Sequence, residues 1–171
     1  WEHIRTIVEG DTLGGQRRIA IAHDIAPDEL LDHVGHGRHR QSIAVRGWAE
    51  KNSVLPYNSH KHTGLLRHIV VRESKNDADR MIILVSAPGD VPKDSFIEAV
   101  LGAYPATTIL RGINATKSDT AFCGSLETWT GSGTITETLH FEDASFKFRI
   151  SPQSFFQTNT KGAQLLYGLL R

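Results

Sequence analysis

Residues 65–87 read LLRHIVVRESKNDADRMIILVSA. Leu65 to Arg72 and Arg80 to Ala87 have strand length and are rich in β-branched residues. Glu73 to Asp79 is polar, as the turn of a hairpin should be. The second run is apolar at successive positions, so it is expected to lie centrally with both faces covered. The first run mixes its faces. Strand alternation puts Leu65, Arg67, Ile69 and Val71 on one side and Leu66, His68, Val70 and Arg72 on the other.

Downstream, Asp90 is the expected N-cap of a helix with Pro92 in its first turn. Phe96, Ile97, Val100, Leu101 and Tyr104 recur at helical spacing, and Pro105 ends the run. Strands are predicted over Thr107 to Asn114, Ala121 to Trp129, Thr134 to Leu139 and Ser145 to Ile150, and a last helix from near Asn159. Upstream, strands are predicted over Ile4 to Glu9 and Arg18 to Asp24. Helices are predicted from Ala26 and over Ser42 to Asn52, and a loop over residues 54–62. The fold class is therefore α+β: a mostly antiparallel sheet with three to four helices packed on it.

The 171 residues suit one domain, with 39% hydrophobic and 22% charged side chains. Lys plus Arg and Asp plus Glu both number 19, so no whole-chain basic field exists and any contact with nucleic acid must be local. The single cysteine, Cys123, excludes an internal disulfide and a cysteine-held metal cluster, and fits a reducing cytoplasmic setting. No apolar run reaches the roughly 20 residues of a membrane span. The chain begins at Trp1 and stops at Arg171 with Leu165, Leu166, Leu169 and Leu170 just before it, so both ends are expected to be boundaries cut within a longer protein.

Residues 148–166 read FRISPQSFFQTNTKGAQLL. This stretch resembles the F-x-I-S-P-x-S-F-F-Q-x-N block at the entry to the methyltransferase domain of the RNA (uracil-5-)-methyltransferases. LPYNSHKHTGLLRHIVVRES, residues 55–74, resembles a second tract of that family, with its Gly-x-Leu-Arg-His core. Gly124 with Ile135-Thr136-Glu137 is a third, weaker match. Residues 1–54 match loosely.

The resemblance implies a uridine of tRNA or rRNA as target and S-adenosylmethionine as donor. It implies attack of a cysteine thiolate on C6, methylation at C5 and removal of the C5 proton by a base. It divides the chain into an RNA-facing domain, residues 1–150, and the start of a methyltransferase domain, residues 151–171. It places Gln157 at the boundary of the donor and uracil pockets. Phe155 becomes the ring for stacking on an unstacked base, with Phe156 in the core. Thr158 or Asn159 caps the last helix. Arg67 and His68 are expected to contact RNA, and Arg67 or Arg72 with Lys147 and Arg149 to form a phosphate-tracking stripe if their strands adjoin.

Other patterns carry less. His33, His36 and His39, and His60 with His62, lack the convergence a zinc site needs and read as polar loops; no metal is expected. Cys123, in an expected strand, is assigned no catalytic role, since the family's catalytic cysteine would lie beyond Arg171. CGSLETWTGSG, residues 123–133, reads as a hairpin turn rather than a nucleotide loop. The donor-binding strand and Gly-rich loop, the cysteine motif and the base are absent. The chain alone is expected to be inactive, with no catalytic residue of its own. The alternative is an RNA-binding module with no active site. A Ser/His hydrolase lacks any G-x-S-x-G motif.

Overall fold

The structure is a computed structural model that describes residues 5–9, 18–19, 40–118, 120–157 and 159–170; for 5–9, 18–19, 40 and 42 it describes the backbone alone. The helix expected from Ala26, the histidines at 33, 36 and 39, and most of the second expected strand lie outside the described residues.

The elements run β1 (Arg5–Glu9), β2 (Arg18–Ile19), α1 (Arg40–Lys51), β3 (Leu66–Glu73), β4 (Arg80–Ser86), α2 (Lys93–Ala103), β5 (Thr108–Ile113), β6 (Ser125–Thr130), β7 (Ile135–His140), β8 (Ser145–Ile150) and α3 (Thr160–Leu169). The main sheet has the order β2-β1-β3-β4-β5-β6, and β7 with β8 forms a second, two-stranded sheet. Four of the six pairings are antiparallel; β1 with β3 and β4 with β5 are parallel. The α+β class is as expected.

Strand β4 is central and covered on both faces. Ile82 and Leu84 face one side with Ile69, Val71 and Ile109, beneath α1 and α2. Met81, Ile83 and Val85 face the other with Val70 and Leu110, beneath the β7–β8 hairpin. On the helical side Phe96 is fully buried and meets Trp48 edge-on at 5.0 Å and Trp129 at 5.5 Å. Burying one such ring contributes about 1.5 to 3 kcal/mol. Trp48 Nε1 donates to Ser95 Oγ at 2.9 Å, which ties α1 to α2.

Several expectations are corrected. A bulge at Arg67 breaks the alternation of β3, so Leu66 joins Ile69 and Val71 on the helical side rather than facing with His68 and Val70. Helix α2 has Pro92, not Asp90, at its N-cap, with no side-chain cap. Residues 121–124 precede β6 rather than belonging to it, which takes Cys123 out of a strand. The 131–134 turn is no hairpin: β6 pairs with β5 and β7 with β8, so the chain there changes sheets.

Close approach requires glycine at several positions, Gly64 and Gly112 among them. Gly64 has φ +92°, and a Cβ there would lie 2.0 Å from the Pro56 carbonyl oxygen. At Gly112 a Cβ would lie 2.1 Å from Cys123 Sγ. Gly112→Ala should therefore cost about 1 to 3 kcal/mol in urea or thermal unfolding. Adding Cys123→Ala should recover part of the loss; an unchanged midpoint for the single variant would show that the packing is looser than described.

Candidate RNA-facing site at the 151–159 turn

After β8 the chain enters Ser151-Pro152-Gln153-Ser154. Three interactions hold this turn. Arg72, near the end of β3 and 7% exposed, donates from Nη1 to the carbonyls of Ser151 at 2.7 Å and Pro152 at 3.0 Å, and from Nη2 to that of Ser154 at 2.7 Å. The Gln153 amide pairs with the main chain of Cys123: Cys123 N donates to Oε1 at 3.1 Å, and Nε2 donates to the Cys123 carbonyl at 3.2 Å. Ser154 Oγ accepts from Ser151 N at 3.1 Å. A planar guanidinium with five donors suits a turn whose carbonyls converge.

The residues that follow alternate. Phe155 is 80% exposed. Phe156 packs against the cluster of Val70, Ile135 and Ile150 and lies 5.7 Å from the Phe148 ring. Gln157 is exposed and lines a small cleft with Arg72, Glu73, Glu137, Phe156 and Thr160. Asn159 caps α3, its side-chain oxygen accepting from Gly162 N at 2.6 Å. Thr158 lies outside the described residues.

Arg67 and His68 are each 3% exposed. Arg67 donates to the carbonyls of Asn114 at 3.0 Å, Thr116 at 2.6 Å and Ser118, and its guanidinium lies 4.2 Å from the centre of the Tyr57 ring. Its visible task is to hold the 114–118 loop. The expected stripe is not formed, because β3 and β8 belong to different sheets and Arg72 is turned into the signature turn. Lys147 and Arg149 are exposed, but so are Phe146 and Phe148, at 47% and 40%; strand β8 buries only Ile150. In α3 the small residues Thr160 and Ala163 face inward, and Leu165 and Leu169 remain 73% and 85% exposed.

Two partners escaped sequence reading. Glu137, 1% exposed, accepts from Lys75 N at 2.7 Å and Asn76 N at 3.1 Å, which clips the β3–β4 turn onto β7. Arg111 donates to Ser86 Oγ at 3.0 Å and to the carbonyl of Gly89; burial pushes its pKa down from the ordinary value, against the pull of Glu127 and Asp90. Glu137 entered the sequence reading only within the third, weaker family match and with no role assigned; for Arg111 a charged residue within an apolar strand is the only signal. His62 Nδ1 lies 3.2 Å from Tyr57 Oη, and among the described residues no group of three or more His, Cys, Asp or Glu could hold a metal ion. No described helix is long and apolar enough to cross a membrane.

Arg72→Met removes three hydrogen bonds to the turn's carbonyls, of which only that of Ser151 keeps other donors, Ser154 N and Oγ, an expected loss of roughly 2 to 4 kcal/mol. Amide exchange at residues 153–157 should then accelerate more than in β4; a uniform change would deny Arg72 its local role. Burial also pushes the Cys123 thiol up, with the Arg67 charge opposing. A raised pKa means less thiolate at pH 8. Iodoacetamide should therefore modify Cys123 far more slowly in the folded protein than in urea, and equal rates would contradict the burial.

No protein-family model matches the chain. Curated relatives do. An RNA methyltransferase of Enterococcus faecalis is 30% identical over 148 residues, 85% of this chain and 32% of the relative. One from Streptococcus pyogenes serotype M18 is 35% identical over 150 residues, 85% of this chain and 31% of the relative. The chain thus spans about a third of the length of the curated relatives it matches. Among solved structures, the Pyrococcus abyssi tRNA (uracil-54, C5)-methyltransferase, in complex with S-adenosyl-L-homocysteine, matches with a TM-score of 0.65 and 25% identity, over 88% of this chain and 34% of that one. The chain belongs to the family of RNA methyltransferases that this uracil-C5 enzyme represents.

Proposed function

We propose that this chain is the RNA-positioning part of an S-adenosylmethionine-dependent enzyme that methylates C5 of a uridine in tRNA or rRNA in the cytoplasm. In this reading residues 1–150 face the RNA and residues 151–171 open the methyltransferase domain. The observation that carries it is the Arg72-held turn, which leaves Phe155 80% exposed while the next ring packs inward. An exposed ring on a fixed turn is what stacking on a base taken out of its helix requires. Gln157, two residues on, presents an amide with both donor and acceptor on an exposed position.

In this reading Gln157 borders the donor site but does not form it alone. The cleft beside Gln157 measures about 30 Å³, against roughly 300 to 1,000 Å³ for a cofactor-sized site. Among the described residues no Gly-rich loop joins a parallel strand to a helix. The donor, which supplies the methyl group, needs further walls, and so do the nucleophile and base. The exposed leucines of α3 and the half-exposed rings of β8 support the same reading: they offer a surface for the remainder of such an enzyme.

The test uses the full-length protein that carries this chain, tRNA and rRNA transcripts, and S-adenosylmethionine labelled in its methyl group. Label should appear as 5-methyluridine in nuclease digests, and residues 1–171 alone should transfer none. Phe155→Ala should lower kcat/KM about 5- to 150-fold, the worth of one stacked base. RNA binding without any methylated uridine would replace this reading with that of a binding module.

A further inference from the structure

A second opening lies on the other side of the signature turn. It is a cleft of about 210 Å³ between the segment 121–126 and Pro152-Gln153-Ser154. Its floor is apolar, formed by Val70, Ile83 and Cys123, which are 7%, 3% and 3% exposed. Its rim is apolar too, but open: Phe122 is 65% and Leu126 39% exposed. The cleft is smaller than the roughly 300 Å³ at which cofactor-sized sites begin. It suits one flat ring system.

The exposure of Phe122 follows from how its segment is held. The Gln153 amide takes both main-chain polar groups of Cys123, and Phe122 N donates to Thr120 Oγ1 at 3.2 Å. With Cys123 turned into the core, the preceding side chain is left outside. The polar groups of the walls are already engaged: Arg72 on the carbonyls of Ser151, Pro152 and Ser154, and Gln153 on Cys123. The cleft therefore offers a ring face and apolar walls, and little with which to read a base edge.

We propose that this cleft takes one unpaired nucleobase of the RNA, neighbouring the target, with Phe122 as its stacking platform. The proposal rests on the reading of RNA as substrate. The wall residue Gln153 and Phe155 are two positions apart, at most about 7 Å along the chain. A strand whose target base lies at Phe155 has its neighbouring nucleotides close to this cleft, one wall of which Gln153 forms opposite Phe122. The loop leading into this segment exposes Lys117, and Arg67 holds that loop in place through the Thr116 and Ser118 carbonyls. A fixed loop with an outward cation fits a phosphate backbone better than an apolar peptide. Stacking of this kind tolerates any base, so the site would select for an unstacked neighbour and not for its identity.

The test compares full-length wild-type protein with Phe122→Ala and Phe122→Tyr, on a hairpin RNA and on copies carrying one abasic residue at each unpaired position near the target. Affinity is read by fluorescence anisotropy, and methylation by KM and kcat separately. Phe122→Ala should weaken RNA binding about 5- to 100-fold, raise KM by a similar factor and leave kcat and the melting temperature nearly unchanged. Phe122→Tyr should restore binding. One abasic position should weaken the wild type equally and cost Phe122→Ala nothing further. Unchanged affinity in Phe122→Ala, or losses that add at every abasic position, would overturn the proposal, and a protein segment would then be the better occupant. RNA bound through Phe122 without methyl transfer would sink the enzymatic reading and leave this one standing; methylation indifferent to Phe122 would do the reverse.

Discussion

Three buried guanidiniums hold the loops that surround the sheet. Arg67 and Arg72 lie towards opposite ends of β3, and Arg111 lies on β5. Each donates to main-chain carbonyls of a loop: 114–118, 151–154, and 87–89 with Ser86 Oγ. Removing a cation from water is costly, and only several well-directed acceptors offset it. The carbonyls of a tight turn, which no strand partner satisfies, are such acceptors. The cost of burying the charge and the cost of burying the turn cancel each other, and neither is tolerable alone. In the proposed function Arg72 matters most of the three, because the turn it holds carries Phe155.

The same logic joins the two sheets. Glu137 accepts two main-chain N–H groups of the β3–β4 turn; Asp79 accepts from Thr136 N at 2.9 Å, and Asp77 from Thr138 Oγ1 at 2.9 Å. Asn76 Nδ2 donates to the Thr138 carbonyl at 2.6 Å and reaches Gln164 on α3 at 3.3 Å. A turn rich in Asp, Asn and Ser thus serves as a docking surface. Through it the β7–β8 hairpin and α3 are referenced to the central strands, and the signature turn between them inherits that frame.

What sequence reading could see was set by local physics. The doubly buried β4 was legible because apolar residues at every position leave no face for water. The stripe of Phe96, Val100 and Tyr104 was legible by its period, and the cap at Asn159 by its short acceptor. Phe156 packs inward as expected, and Phe155 points outward, because an extended segment alternates. The bulge at Arg67 was not legible: it depends on the partner strand, and it turned Leu66 to the other face. The change of sheet after Trp129 was missed since a Gly-rich turn looks alike whether it closes a hairpin or leaves it. The roles of Arg67, Arg72 and Arg111 were hidden for a deeper reason. An arginine in a strand reads as a solvated cation, and its acceptors lie 22 to 82 residues away in sequence.

Rigidity of the 151–154 turn also bears on how a base could be held for chemistry. An aromatic side chain that stacks on a flipped base must already be in position, since ordering it on binding would consume the stacking energy. Phe155 has almost no packing of its own at 80% exposure, so its backbone must be fixed by what precedes it. Arg72 and Gln153 do this from two directions, one anchored in β3 and the other in the segment before β6. Weakening either anchor should leave the ring in place on average but widen its distribution. A misplacement of about 1 Å is enough to cost a reaction a hundredfold. Under the proposed function the buried charge of Arg72 would act on the reaction through geometry, by holding the turn that carries Phe155.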